Sequence, residues 1–271
     1  MGSMLRKLAL FGGAAAVAGL IVAERKRPLR ERTFAIAPRT ISNLALGAGC
    51  AVVIAALEEP LCRKIADQNA AEGRGFAHKL PRPLRLVGGL LAMDYGFYLW
   101  HVLTHKVPFL WRFHRVHHLD PDMDASTAIR FHPVDMLVSL PFRLLQVRLS
   151  GVDRRGLTFW RNLFNAHVLF HHSNLQLPAG WDSKLSAIFT TPEMHGIHHS
   201  RIRAESDSNW TSGFSFWDRL HGTFRTRANP RAIDIGVADA QALADIPIIP
   251  ALQAPFRPQP ANNQTSESLP K

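Results

Sequence analysis

At 271 residues with 46% of them hydrophobic, the chain carries enough apolar material for one substantial core or for membrane segments. Its formal charge of +11 raises nucleic acid as a partner, but no nucleic-acid-binding motif is present, and the basic residues lie beside apolar runs, as a membrane surface favours. Two cysteines, Cys50 and Cys62, in no C-x-x-C pair, exclude a disulfide framework, a thiolate zinc finger and an iron-sulfur centre.

Residues 8–23, LALFGGAAAVAGLIVA, form the first apolar run, followed by ERKRPLRER with Arg25, Lys26, Arg27, Arg30 and Arg32. Such a basic cluster resists translocation, so this run is expected to be a retained anchor rather than a cleaved leader. Residues 41–57 and 84–100 form a second and third run, the third carrying Asp94. Each is near the roughly 17 to 25 residues a spanning helix needs. The mixed-charge stretch 58–83 is expected to be a loop.

Two shorter segments, 134–150 and 157–172, flank the turn SGVDRRG. Pro141, Arg143 and Arg148 make the first a poor span, which predicts a re-entrant or interfacial helical hairpin. Beyond His172 the chain turns polar and loop-rich, and from about residue 250 its Pro, Gln and Ser bias is that of a disordered tail. The expected division is 1–83 for N-terminal membrane helices and a loop, 84–230 for a catalytic domain, and 231–271 for a partly disordered extension.

Fourteen histidines fall mostly into groups: His101 and His105 in HVLTH; His114, His117 and His118 in HRVHH; His167, His171 and His172 in HVLFHH; His195, His198 and His199 in HGIHH. On a helix, positions i, i+3 and i+4 share a sector of roughly 100°, so each H-x-x-H-H word turns three imidazoles one way. Imidazoles this dense repel if protonated and lack partners if buried neutral. A shared cation relieves both problems, and the number of rings suits two ions. His78 and His221 stand alone and are assigned no role.

With the basic cluster at 25–32 cytoplasmic, the third run delivers His101 and His105 to the cytoplasmic membrane face, and the hairpin returns the later groups to the same side. The expected fold is therefore all-α, an integral membrane helical bundle with a cytoplasmic histidine-rich helical cap.

In order, DYGFYLWHVLTH, WRFHRVHH, RFHPVD, LFHHSN, TTPEMHGIHHS and WDRLHGTF resemble the fatty acid hydroxylase and sterol desaturase superfamily, from about Asp94 to Phe224. The resemblance implies an O2-dependent membrane oxygenase with a non-haem di-iron centre that hydroxylates or desaturates a lipid. It gives metal-ligand roles to His101, His105, His114, His117, His118, His195, His198 and His199. In the middle segment, one form of the family motif points to His167 and His171 and another to His172; all three are kept, with one expected to stand behind the ligands. His132, Asp94, Asn209 and Asp218 are the candidates for supporting positions, and N-W-T at Asn209 is not taken as a glycosylation site on a cytoplasmic face.

Zinc is compatible with the same imidazoles in purified protein. With no flavin or dinucleotide fingerprint, electrons are expected from a separate ferredoxin or cytochrome with its reductase. The rival readings are a membrane zinc-dependent hydrolase, which needs no O2, and a non-catalytic metal-binding membrane protein.

Overall fold

The computed structural model describes residues 2–239 and 243–259, with side chains from Phe11 onward. The last part of the expected tail, 260–271, lies outside the described residues. Helix α1, Gly2–Lys26, carries the first apolar run. Helix α2, Ile36–Val53, continues through a π-helical turn at Ile54–Glu58 directly into α3, Glu59–Glu72. Helix α4, Arg85–Lys106, is followed after extended Val107 by α5, Pro108–His118, with the proline at the first helical position where its missing N–H costs nothing.

The hairpin follows as α6, Pro133–Ser150, and α7, Arg154–His172. Gly151 ends α6 at φ 73°, a conformation glycine adopts without strain, and the Asp153 carboxylate caps α7 by accepting from Gly156 N (2.7 Å). Short helices complete the chain: α8 Trp181–Leu185, α9 Pro192–His198, α10 Arg203–Ser206, α11 Phe216–Leu220 and α12 Ile248–Gln253. No strand occurs among the described residues, which hold isolated bridges alone.

Two stretches, Ile36–Lys79 and Arg82–Lys106, are long and apolar enough to cross a membrane. The protein itself buries 22% and 33% of their apolar windows, whereas the central helix of a soluble core would be mostly covered. Ile41, Leu44, Val52, Leu86 and Val87 all point outward, an outer surface suited to lipid. On α1, Phe11 and Val22 are exposed as well.

The expected loop at 58–83 is corrected by α3. Its acidic residues are paired: Glu58, in the turn before it, with Arg161 (2.9 Å), Glu59 with Arg63 and Arg161, and, at the exposed surface, Asp67 with Arg154 and Glu72 with Arg148 (3.2 Å). Its other face places Cys62 and Ala66 in a core with Met93, Val147, Val152, Leu157 and Trp160, joining α3, α4, α6 and α7. The tail also begins later than expected. Ala251 on α12 is fully buried against Leu46 and Val116, and Ala254 packs with Leu119 and Val237, so residues 248–256 belong to the folded body.

Candidate metal centre

The end of α4, the length of α5, the end of α7 and the short α9 meet in one buried region. Two sets of imidazoles form there, each with ligand atoms within 4.8 Å of one another: His101, His105, His114, His118 and His198; and His117, His172, His195 and His199. Every one of these nine rings except His105 is at most 5% exposed, and His105 is buried at its Nε2. No carboxylate joins either set among the described residues.

Each H-x-x-H-H word is divided between the two sets. From α5, His114 and His118 go to the five-ring set and His117 to the four-ring set. From residues 195–199, in α9 and at its end, the division is reversed: His198 goes to the five, and His195 and His199 to the four. The shared sector expected from the spacing therefore serves two foci.

Backbone carbonyls aim the rings. His101 Nδ1 donates to Trp210 O (2.7 Å) and His198 Nδ1 to Ser208 O (2.9 Å), leaving both Nε2 atoms pointing inward without a partner. The Nε2 atoms of His105, His114 and His118 are likewise without hydrogen-bond partners. In the four-ring set, His117 Nδ1 donates to Arg130 O (3.2 Å) and His172 Nδ1 to Val168 O (2.8 Å). A carbonyl only accepts, so in the neutral rings Nδ1 holds the proton and Nε2 is a bare lone pair.

Yet the Nε2 atoms of His117 and His172 are 3.0 Å apart, those of His172 and His195 3.0 Å, and those of His195 and His199 3.2 Å. The first of these cannot be a hydrogen bond between neutral rings, because neither nitrogen has a proton to give. Nitrogens bound at about 2.0–2.1 Å to one ion, at angles between octahedral and tetrahedral, stand roughly 2.8–3.4 Å from each other. The spacing and the orphaned lone pairs both fit a shared cation, and neutral imidazole suits iron and zinc alike.

Electrostatics agree. Burial, reinforced by neighbouring imidazoles, pushes His114, His117, His118, His195 and His199 well below the ordinary histidine pKa. Burial does the same to His198, with His101 adding to it against the opposing hydrogen bond to Ser208. The rings are thus neutral, metal-ready donors near neutral pH. Trp210, 2% exposed, and Trp111 close the outer side of the five-ring set, their rings each 4.8 Å from that of His105.

The remaining candidates lie around this pair of sets. His171 is fully buried with both ring nitrogens unpartnered, its ring 4.0 Å from that of His195, but belongs to neither set. His167 is half-buried against Phe189 and also belongs to neither. His132 caps α6, accepting from Val134 N, while its Nε2 donates to Leu252 O (3.1 Å), which ties the C-terminal helix to the hairpin. Asp94 faces the bundle and accepts from Phe214 N and the Trp217 indole (2.8 Å).

Asn209, at φ 51°, donates to Met194 O and Arg225 O. Asp218 accepts from Trp210 N, Thr211 N, the Thr211 hydroxyl and the Thr223 hydroxyl. Asp218 thereby shapes the loop whose carbonyls hold His101 and His198.

Several supporting residues escaped the sequence reading. After HRVHH, the alternating acids of DPDMD anchor the chain to α2 and its approach: Asp120 to Arg39 (2.6 Å) and Asn43 (2.9 Å), Asp122 to Thr33 and Phe34, and Asp124 to Arg39. Arg130, fully buried, donates to Val116 O and Asn43 Oδ1, which fixes the carbonyl that receives His117. Arg30 lies on Gly196, where a Cβ would come within 1.7 Å of its Nη2, so the glycine in HGIHH makes room for a buried guanidinium that donates to Pro192 O. The regular D-x-D-x-D spacing was the available signal for the acids. Carbonyl partners carry none.

An all-helical membrane protein with two adjoining imidazole sets, each able to hold a metal ion, is the class that fold and site define. Within that class the chain belongs to the fatty acid hydroxylase family, whose model matches residues 86–223.

Among curated proteins, it is 32% identical over 158 residues to an ornithine lipid hydroxylase of Rhizobium tropici, covering 58% of this chain and 46% of the relative. It is 27% identical to alkylglycerol monooxygenase of Homo sapiens, covering 52% of this chain and 31% of that protein. With human cholesterol 25-hydroxylase it shares 30% identity over 52% of this chain and 51% of that one. The chain thus spans about half or less of the length of these relatives. No solved structure matches it.

Proposed function

We propose that the protein is a membrane-bound di-iron oxygenase that hydroxylates a lipid. The observation that carries this is the opening of both imidazole sets onto one cavity of about 510 Å³, whose lining includes His101 and His114 of the first set and His117, His172 and His195 of the second. Two irons held there would supply O2 activation and oxidation of a C–H bond. In the balanced reaction one oxygen atom enters the C–H bond and the other leaves as water, with two electrons and two protons taken up.

The chain's own part is preorganisation. Carbonyls of Arg130, Val168, Ser208 and Trp210 hold the Nδ1 protons outward so that the Nε2 lone pairs stay aimed at the metals. Trp210 and Trp111 wall off solvent, and Phe97, Trp100, Phe131 and Phe164 give the cavity an apolar side for a lipid chain. The ligands we assign are the nine rings of the two sets, with His171 behind His195 and His167 outside.

Lipid enters from the bilayer and electrons come from a separate ferredoxin or cytochrome with its reductase. The histidine sets face the cytoplasm, and residues 84–230 form the catalytic domain. Hydroxylation is favoured over desaturation because the relatives are named as hydroxylases and monooxygenases.

Purified protein should bind close to two irons per chain and, with O2 and reductant, convert lipid to a product heavier by one oxygen atom in mass spectrometry. Turnover under strict anaerobiosis with a zinc-only site would sink this reading in favour of a hydrolase. A product lighter by two hydrogens would replace hydroxylation by desaturation.

A further inference from the structure

The cavity beside the histidines is not apolar throughout. Helix α6 turns Asp135, Ser139 and Arg143, spaced i, i+4 and i+8 on one face, into its wall. Arg143 is steadied by Gln146 (3.0 Å) and by the ring of Phe97 (4.6 Å), and Ser139 donates to Met136 O. Asp135 is different. It is 3% exposed, and its Oδ1 has no hydrogen-bond partner. Its Oδ2 is 4.0 Å from His114 Nδ1, beyond hydrogen-bond reach.

A buried carboxylate oxygen without a donor is costly, and a saturated chain laid across it would leave it so. Because Asp135 lines the cavity, a donor on whatever fills it can supply that partner. We propose that Asp135 binds a hydrogen-bond donor of the lipid substrate, a hydroxyl or a protonated amine, and so places a carbon close to the lipid's polar group against the histidine sets. Because Asp135 adjoins His114, the oxidised position lies within a few bonds of that donor rather than far along an acyl tail. The position of oxidation rests on the oxygenase reading; the donor site does not.

The test uses the full chain in detergent, metal-stripped and metal-loaded, with three lipids of one chain length whose head is a primary amine, a hydroxyl or a methyl ether. Binding is read by displacement of a fluorescent lipid. The amine and the hydroxyl should bind roughly tenfold tighter than the ether, about what one hydrogen bond to a buried carboxyl group provides. Asp135→Leu should erase the difference with or without metal, and Asp135→Asn should weaken the amine more than the hydroxyl.

Equal binding of the three lipids to the unaltered protein overturns the proposal, a result that needs no variant to fold. So does a preference that survives Asp135→Leu, or a variant that loses metal while keeping the preference, which would make Asp135 an orienting partner of His114. Donor preference without lipid oxidation would leave this site standing and remove the oxygenase reading instead.

Discussion

The segments HRVHH and HGIHH share one spacing and divide in opposite senses. In α5 the outer pair, His114 and His118, serves the five-ring set and the inner His117 crosses to the four; in 195–199 the inner His198 joins the five and the outer pair the four. Spacing thus marks a face able to bind metal but not the ion each ring serves. The sets also differ in construction. The five-ring set leans on the loop 208–211 for its carbonyls, whereas the four-ring set leans on Arg130 and on a carbonyl within α7 itself.

The sharpest way to break this comparison is to remove a ring that belongs to one set alone. His101→Ala and His172→Ala should each lower bound metal to about half by elemental analysis and cut lipid oxidation by more than about 100-fold, exceeding the effect of losing an outer hydrogen-bond partner. If either variant released all metal, or none, the two-set division would be wrong. Next in size is Asp218→Asn, which weakens the acceptor that organises the 208–211 loop. Metal affinity should fall about 10- to 100-fold in the five-ring set while the four-ring set is spared, as a titration resolving two affinities would read.

A third prediction treats the sets together. The six imidazoles of α5 and 195–199 have folded pKa values well below the unfolded value, so between those limits the unfolded chain binds more protons than the folded one. Stability from these groups is complete above about pH 6.5 and is lost as pH falls below it. Thermal unfolding of chelator-treated protein should shift to lower temperature from pH 7 to pH 5, and a flat profile would contradict neutral buried rings. The smallest effect is expected at His167→Gln. Stability should change by no more than about 0.5 kcal/mol with metal content intact, and loss of metal would restore this residue as a ligand.

Much of this organisation was legible in the sequence where one residue type repeats at a helical interval. The four histidine groups and the hairpin, expected at 134–150 and 157–172 and found at Pro133–Ser150 and Arg154–His172, are of that kind. What escaped depends on partners far along the chain. Glu58 and Glu59 look solvated until Arg161 arrives from α7 some 100 positions later. The 248–256 segment has a tail's composition, yet Ala251 packs against Val116 and Ala254 against Leu119, at and just beyond the end of α5. The carbonyls that aim His101 and His198 are invisible to any reading of side chains, because every residue has one.

The crossing of His117 and His198 has a thermodynamic consequence. Since α5 and α9 each carry donors for both sets, ordering either helix around one ion also immobilises rings the other ion needs, and the entropy of that ordering is spent once. If both sets hold metal, filling one is then expected to favour filling the other by a modest factor, without making the second ion a condition of the first.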